Sequence, residues 1–134
     1  MKKKLLLLLP ASLILFAFTL KDLQTDPWKA PDSAKSIKNP VEAGKQIVSG
    51  KKGKKVFQTN CIICHGETGV GNGPGGKSIN PKPADLTSAK VQSQTDGEIF
   101  WKLTNGHVPM IKWEPFIPEA QRWDLVNYIR SLKK

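Results

Sequence analysis

Five consecutive residues, Cys61-Ile62-Ile63-Cys64-His65, contain both cysteines of the chain and one of its two histidines. The spacing C-x-x-C-H is that of covalent attachment of a c-type haem. The two thiols would add across the vinyl groups of the porphyrin, and the adjacent imidazole would lie under the iron as its proximal ligand. Two intervening residues let one turn of chain present both sulfurs to one edge of the ring. Other chemistries fit these residues less well. A thioredoxin-like redox pair wants a preceding strand and a βαβ context, and no strand pattern precedes Cys61. A zinc site wants four ligands, and the chain offers only Cys61, Cys64, His65 and the distant His107. A plain disulfide would leave His65 without a role. With both thiols used by the motif, no structural disulfide is available.

The elements around the motif follow from pattern. A helix is expected over about Ser49–Asn60, ending in the apolar pair Val56 and Phe57. Gly53 lies four residues before Phe57, on the same face. A glycine inside a helix costs about 1 kcal/mol relative to alanine, so close approach of a second helix is expected there. Lys51, Lys52, Lys54 and Lys55 crowd this helix, as a solvated face or a docking patch. Residues 66–83 form a loop rich in Gly and Pro. Gly71-Asn72-Gly73-Pro74-Gly75-Gly76-Lys77-Ser78 matches the phosphate-loop pattern G-x-x-x-x-G-K-[ST]. No apolar strand precedes it, and Pro81 and Pro83 stop any helix running on from Ser78. Nucleotide binding is therefore not expected. Thr95 and Glu98 make a capping box. The helix they open buries Ile99, Phe100 and Leu103 and stops at Asn105-Gly106. Ile117-Pro118-Glu119 opens a last helix with Pro and Glu suited to its start. Its apolar residues are Trp123, Val126 and Ile129, with Leu125, Tyr128 and Leu132 on the adjoining stripe.

Gly53-Lys54-Lys55-Val56-Phe57, three further residues, and Cys61-x-x-Cys64-His65-Gly66 together resemble the N-terminal helix of the class I cytochromes c. The resemblance extends over roughly Ala43 to Leu132. It implies an all-α cytochrome c fold, three main helices around one covalently attached haem. It implies that the last helix crosses the first near Gly53, with Tyr128 meeting Gly53 or Phe57. It assigns Pro81 to Leu86 to the segment that lines the haem and shields its propionates. It also places the sixth iron ligand in Gly106-His107-Val108-Pro109-Met110-Ile111. Met110 is the only methionine beyond the initiator, and a thioether opposite His65 raises the reduction potential. Two alternatives stay open: Met110 as core filler with His107 as ligand after a three-residue slip of the loop, and a vacant or weakly held sixth site.

The chain has 134 residues, enough for one domain. Lys2, Lys3 and Lys4 followed by the apolar run Leu5–Leu20 read as an export signal. At 16 residues and with Pro10 inside it, the run falls short of the ~20 residues of a full span. Both cleavage and retention as an inner-membrane anchor remain open, with the domain periplasmic or otherwise exported. The expected division is 1–20 signal or anchor, 21–42 linker with Trp28 as its one large apolar residue, and 43–134 mono-haem domain. The formal charge is +10, from 21 basic and 11 acidic residues. Without Lys2, Lys3 and Lys4 it is 18 against 11, or +7. Such a surface suits redox partners with acidic docking faces, or an anionic membrane. No motif supports nucleic-acid binding.

The expected function is single-electron transfer between redox partners of a respiratory chain, not catalysis. Cys61, Cys64, His65 and Met110 hold the haem c, and His65 and Met110 ligate the iron. A haem subunit of a membrane oxidoreductase complex and a small-ligand haem enzyme such as a peroxidase are the alternatives.

Overall fold

The computed structural model describes residues 28–134. The expected signal or anchor at 1–20 lies outside the described residues. Three long helices carry the fold: α1 (Gln46–Asn60), α4 (Asp96–Asn105) and α5 (Glu119–Ser131). Two four-residue helices stand between the first two, α2 (Ile62–His65) and α3 (Ala89–Gln92). Among the described residues there is no strand, and the one paired bridge joins His107 to Met110. No helix among them is long and apolar enough to cross a membrane. The architecture is all-α.

The crossing of α1 and α5 is set by missing side chains. A Cβ built on Gly53 would run into the main-chain carbonyl of Asp124, and one on Gly50 would lie 3.3 Å from the Asn127 carbonyl oxygen. The two helices therefore meet backbone to backbone, closer than most helix pairs. Phe57 and Tyr128 close the crossing, ring centroids 5.0 Å apart and tilted by 56°. Tyr128 thus meets Phe57 by its ring, while Gly53 is reserved for the Asp124 carbonyl. Leu125 and Val126 are fully buried. The core extends to α4 through Phe100, which stacks on Trp123 at 4.0 Å and 7°. The Arg122 guanidinium lies 5.3 Å from the Phe100 ring and donates to the Ile117 carbonyl at 2.9 Å.

Each long helix starts or stops for a local reason. Thr95 accepts from the Glu98 amide, and the Glu98 carboxylate accepts from the Thr95 amide at 2.7 Å. Both arms of the capping box are present. Gly106, at φ 62°, ends α4 in the left-handed region that favours glycine. α1 begins three residues earlier than expected, at Gln46, because a 3₁₀ turn over Ala43–Lys45 leads into it. α5 opens directly after Pro118, whose carbonyl accepts from the Arg122 amide.

Residues 28–42, expected as the latter part of a linker, are instead packed on the domain. A 3₁₀ turn at Asp32–Ser36 rests on α4, and Ala30 and Ala34 are buried. Gly97 admits this turn, since a Cβ there would meet the Ala34 and Ile37 carbonyls. The Asn39 amide donates to Asp96 at 2.8 Å and to Asn127 at 2.9 Å. Asn127 in turn donates to Ser49, and Ser49 to Asp124 at 2.5 Å. A chain of side-chain hydrogen bonds therefore ties the segment to α4, α5 and α1. Proline content and scattered charge hid this packing, because only two alanines enter the core.

Candidate functional site

Cys61 caps the C-terminal end of α1, and α2 turns directly from it. The amides of Cys64 and His65 both donate to the Cys61 carbonyl, at 3.2 and 2.9 Å. This single turn places the two sulfurs three residues apart on one helical face. Both cysteines are free thiols. Burial pushes the Cys61 thiol up to about 12, with Cys64 adding to the shift. A redox-active pair needs the opposite, a thiol lowered by a helix N-terminus or a cation. Here burial acts in the other direction on the first thiol, and among the described residues no βαβ unit surrounds it, so the thioredoxin-like reading is not supported. Among the described residues no three His, Cys, Asp or Glu groups converge as a metal cluster, which removes the zinc reading.

His65 is steered from across the site. Its Nδ1 lies 3.1 Å from the Ala84 carbonyl oxygen. With Nδ1–H donating there, Nε2 keeps its lone pair, the form a metal requires. Burial pushes the imidazole below the usual histidine range, and the Ala84 hydrogen bond opposes this. Burial thus favours the neutral form of the ring. Ala84 escapes any search for functional side chains because it acts through its main chain. The only sequence signal was its place in the Pro-rich segment after the glycine loop.

The glycine loop explains itself by what it covers. The Gly71 amide donates to the His65 carbonyl at 2.8 Å, and the Gly73 amide to the Cys64 carbonyl at 3.0 Å. A Cβ on Gly73 would lie 2.5 Å from the carbonyl oxygens of Ile62 and Ile63. The glycines let the loop fold flat onto the carbonyl end of α2. Their amides are engaged by protein carbonyls and do not form a phosphate cradle.

On the other side, Met110 is half-buried and packs against the core cluster that also contains Cys61. Met110 and His107 exchange two main-chain hydrogen bonds, 2.9 and 2.7 Å. The His107 ring is exposed and stacks on Trp28 at 5.7 Å and 19°. The structure thus sets the two candidate distal donors apart: one borders the core, the other lies on an indole at the surface.

The donor set fits a haem. Two unpaired thiols sit one turn from an imidazole whose Nδ1 faces the Ala84 carbonyl. Apolar side chains flank the candidate ligands in the open, with Ile63 56%, Val108 87% and Ile111 50% exposed. Such exposure is expected where a large apolar group is to be covered.

Comparison with known proteins gives the same answer. A search of curated proteins finds no match. Among solved structures, the chain is similar to a component of the Kuenenia stuttgartiensis reducing HAO-like protein complex Kustc0457/Kustc0458. The TM-score is 0.63 at 24% identity, over 73% of this chain and 50% of that one. It is also similar to the KustC0563 c-type cytochrome, with a TM-score of 0.52 at 23% identity over 61% of this chain and 98% of that one. These likenesses carry the fold, and the chain spans half the length of the first. The family model for cytochrome c matches residues 50–133, from the crossing glycines of α1 through the end of α5. With its thiols, imidazole and helix crossing all inside that span, the chain belongs to the cytochrome c family.

Proposed function

We propose that this protein is an exported, mono-haem carrier of single electrons between redox partners of a respiratory chain. The observation that carries this reading is His65, steered by Ala84, one turn from two unpaired thiols. Cys61 and Cys64 tether the group, His65 is the proximal ligand and Met110 the distal one. Bound there, a haem c supplies a one-electron ferrous/ferric couple. The chain supplies the rest. Met110 contributes a soft, neutral donor that favours the reduced state. With both axial donors supplied by the protein, small ligands are excluded and no substrate is turned over. Lys51, Lys52, Lys54 and Lys55, all exposed on α1, give a docking face for an acidic partner.

The test is intact mass with a redox-resolved visible spectrum of the exported protein. One haem's added mass and a methionine-to-iron charge-transfer band in the ferric state are expected. Met110→Ala should abolish the band, whereas His107→Gln should keep it. A ferric protein that binds cyanide or peroxide as fast as an open haem would point to the enzyme reading instead.

A second reading has one observation in its favour, the fold likeness to a component of the reducing HAO-like complex. On this reading the chain is a haem-bearing subunit of a larger oxidoreductase. Co-purification of the native protein in a stable assembly would favour it over a diffusing shuttle.

A further inference from the structure

The segment ahead of α1 is a strap laid along α4 from end to end. At the start of α4, the Ala34 and Ile37 carbonyls face Gly97, and Asn39 bonds Asp96. At its far end, Trp28 stacks on His107, just beyond the last residue of the helix, and the Lys102 ammonium lies 5.3 Å from the Trp28 ring. Ten residues of helix span about 15 Å, a length that residues 28–39 cover. The Trp28 end of this strap therefore rests on the loop that bears both candidate distal donors.

Those donors are mechanically linked. His107 and Met110 bond each other's main chain in both directions, so the turn between them moves as one piece. A face of the His107 ring is occupied by the indole, while Met110 packs inward against the core. Imidazole suits iron well, and ferric iron, being harder than ferrous, favours nitrogen over a thioether. An unrestrained His107 would therefore compete for the distal position, most strongly in the oxidised protein.

We propose that Trp28 is a positioning residue that selects the distal ligand: its stack on His107 holds the rival imidazole outward and leaves Met110 as the donor. This rests on the Met110 ligation proposed above. A ring pair of this kind, with a cation nearby, is worth a factor of roughly 2 to 10 in the ratio of the two ligation states.

The test uses the full-length ferric holoprotein. Trp28→Ala should shift the ratio of methionine-ligated to bis-histidine protein by that factor toward bis-histidine, read from the two spectra together, and lower the reduction potential. Adding His107→Gln to Trp28→Ala should restore both band and potential, which a merely structural role for Trp28 would not do. Trp28→Phe, which keeps a flat face, should stay close to the unsubstituted protein. If Trp28→Ala yields no holoprotein, Trp28→Leu keeps the apolar cover without the ring and reads the same way. An unchanged band and potential in the alanine or leucine variant overturns the proposal. So does a loss that His107→Gln fails to relieve. Absence of the band from the unsubstituted protein would instead overturn the Met110 assignment, and the selection with it.

Discussion

At the scale of single residues, Gly53 carries more of the fold than any side chain near it. Its missing Cβ is what lets α1 reach the Asp124 carbonyl. Gly53→Ala forces the two helices apart and should destabilise the holoprotein by about 1–3 kcal/mol or more, the usual range for overpacking. Gly44→Ala is the control, since a Cβ there meets nothing within 4 Å. Denaturant midpoints of the two variants should differ in that order, and equal midpoints would refute the packing argument. Gly53 could be read from the sequence because a glycine inside a helix has a known cost. The spacing of Cys61, Cys64 and His65 was legible as a motif because it leaves little other chemistry, and the structure puts the three on one turn. Ala84 could not. A carbonyl oxygen is present at every residue, so only the fold shows which one meets an imidazole. Trp28 stood out as the one large apolar residue of the stretch, suited either to tacking it onto the domain or to exposure, but the sequence could not name what it meets. Its partner His107 is 79 positions away in a loop, beyond the reach of any periodicity.

At the scale of elements, local chemistry was the most legible part. The capping box at Thr95 and Glu98, the stop at Gly106 and the apolar stripes of α5 all follow from rules that act within a few residues. The segment before α1 followed no such rule. It is held by a 3₁₀ turn, two small buried residues and Asn39, none of which gives an amphipathic pattern. The turn that presents Ala84 is likewise local but makes its own prediction. Asp85 accepts from the Thr87 hydroxyl at 2.7 Å and the Thr87 amide at 2.8 Å. These bonds, the side-chain one first, hold its carboxyl below the usual carboxylate value of 3.8. A group depressed in this way stabilises the fold above its unfolded value, and that contribution is lost as pH falls through the folded one. Asp85→Asn should therefore lower the midpoint of unfolding at neutral pH, and the gap should close in acid. A gap of equal size at both ends would show that the carboxylate charge does not hold the turn. The contribution is modest, because Asp85 is fully open to solvent.

At the scale of the whole molecule, the core is thin. Its buried residues gather at the α1–α5 crossing and the Phe100–Trp123 stack, while Ile63, Val108 and Ile111 stay open around the site. Small domains bury a modest share of their surface and often need a staple. A haem held by two thioethers would cover the open side and join α1 to the loops at residues 84 and 110. Cys61→Ser/Cys64→Ser without haem should therefore lose most of its helical circular dichroism. Native-like helicity with a cooperative unfolding transition would contradict this. At this scale the fold class followed from the resemblance carried by Gly53-Lys54-Lys55-Val56-Phe57 and the C-x-x-C-H motif, and the helices from their local start and stop signals. The polar chain Asn39–Asn127–Ser49–Asp124 followed from neither, because each member is a commonplace surface residue until the segment before α1 meets α1 and α5.

Lys134, the last residue of the sequence, comes within electrostatic range of Asp85, beside the carbonyl that steers His65. An electrode film anchored at Lys134 would thus turn the Ala84 side of the site toward the conductor.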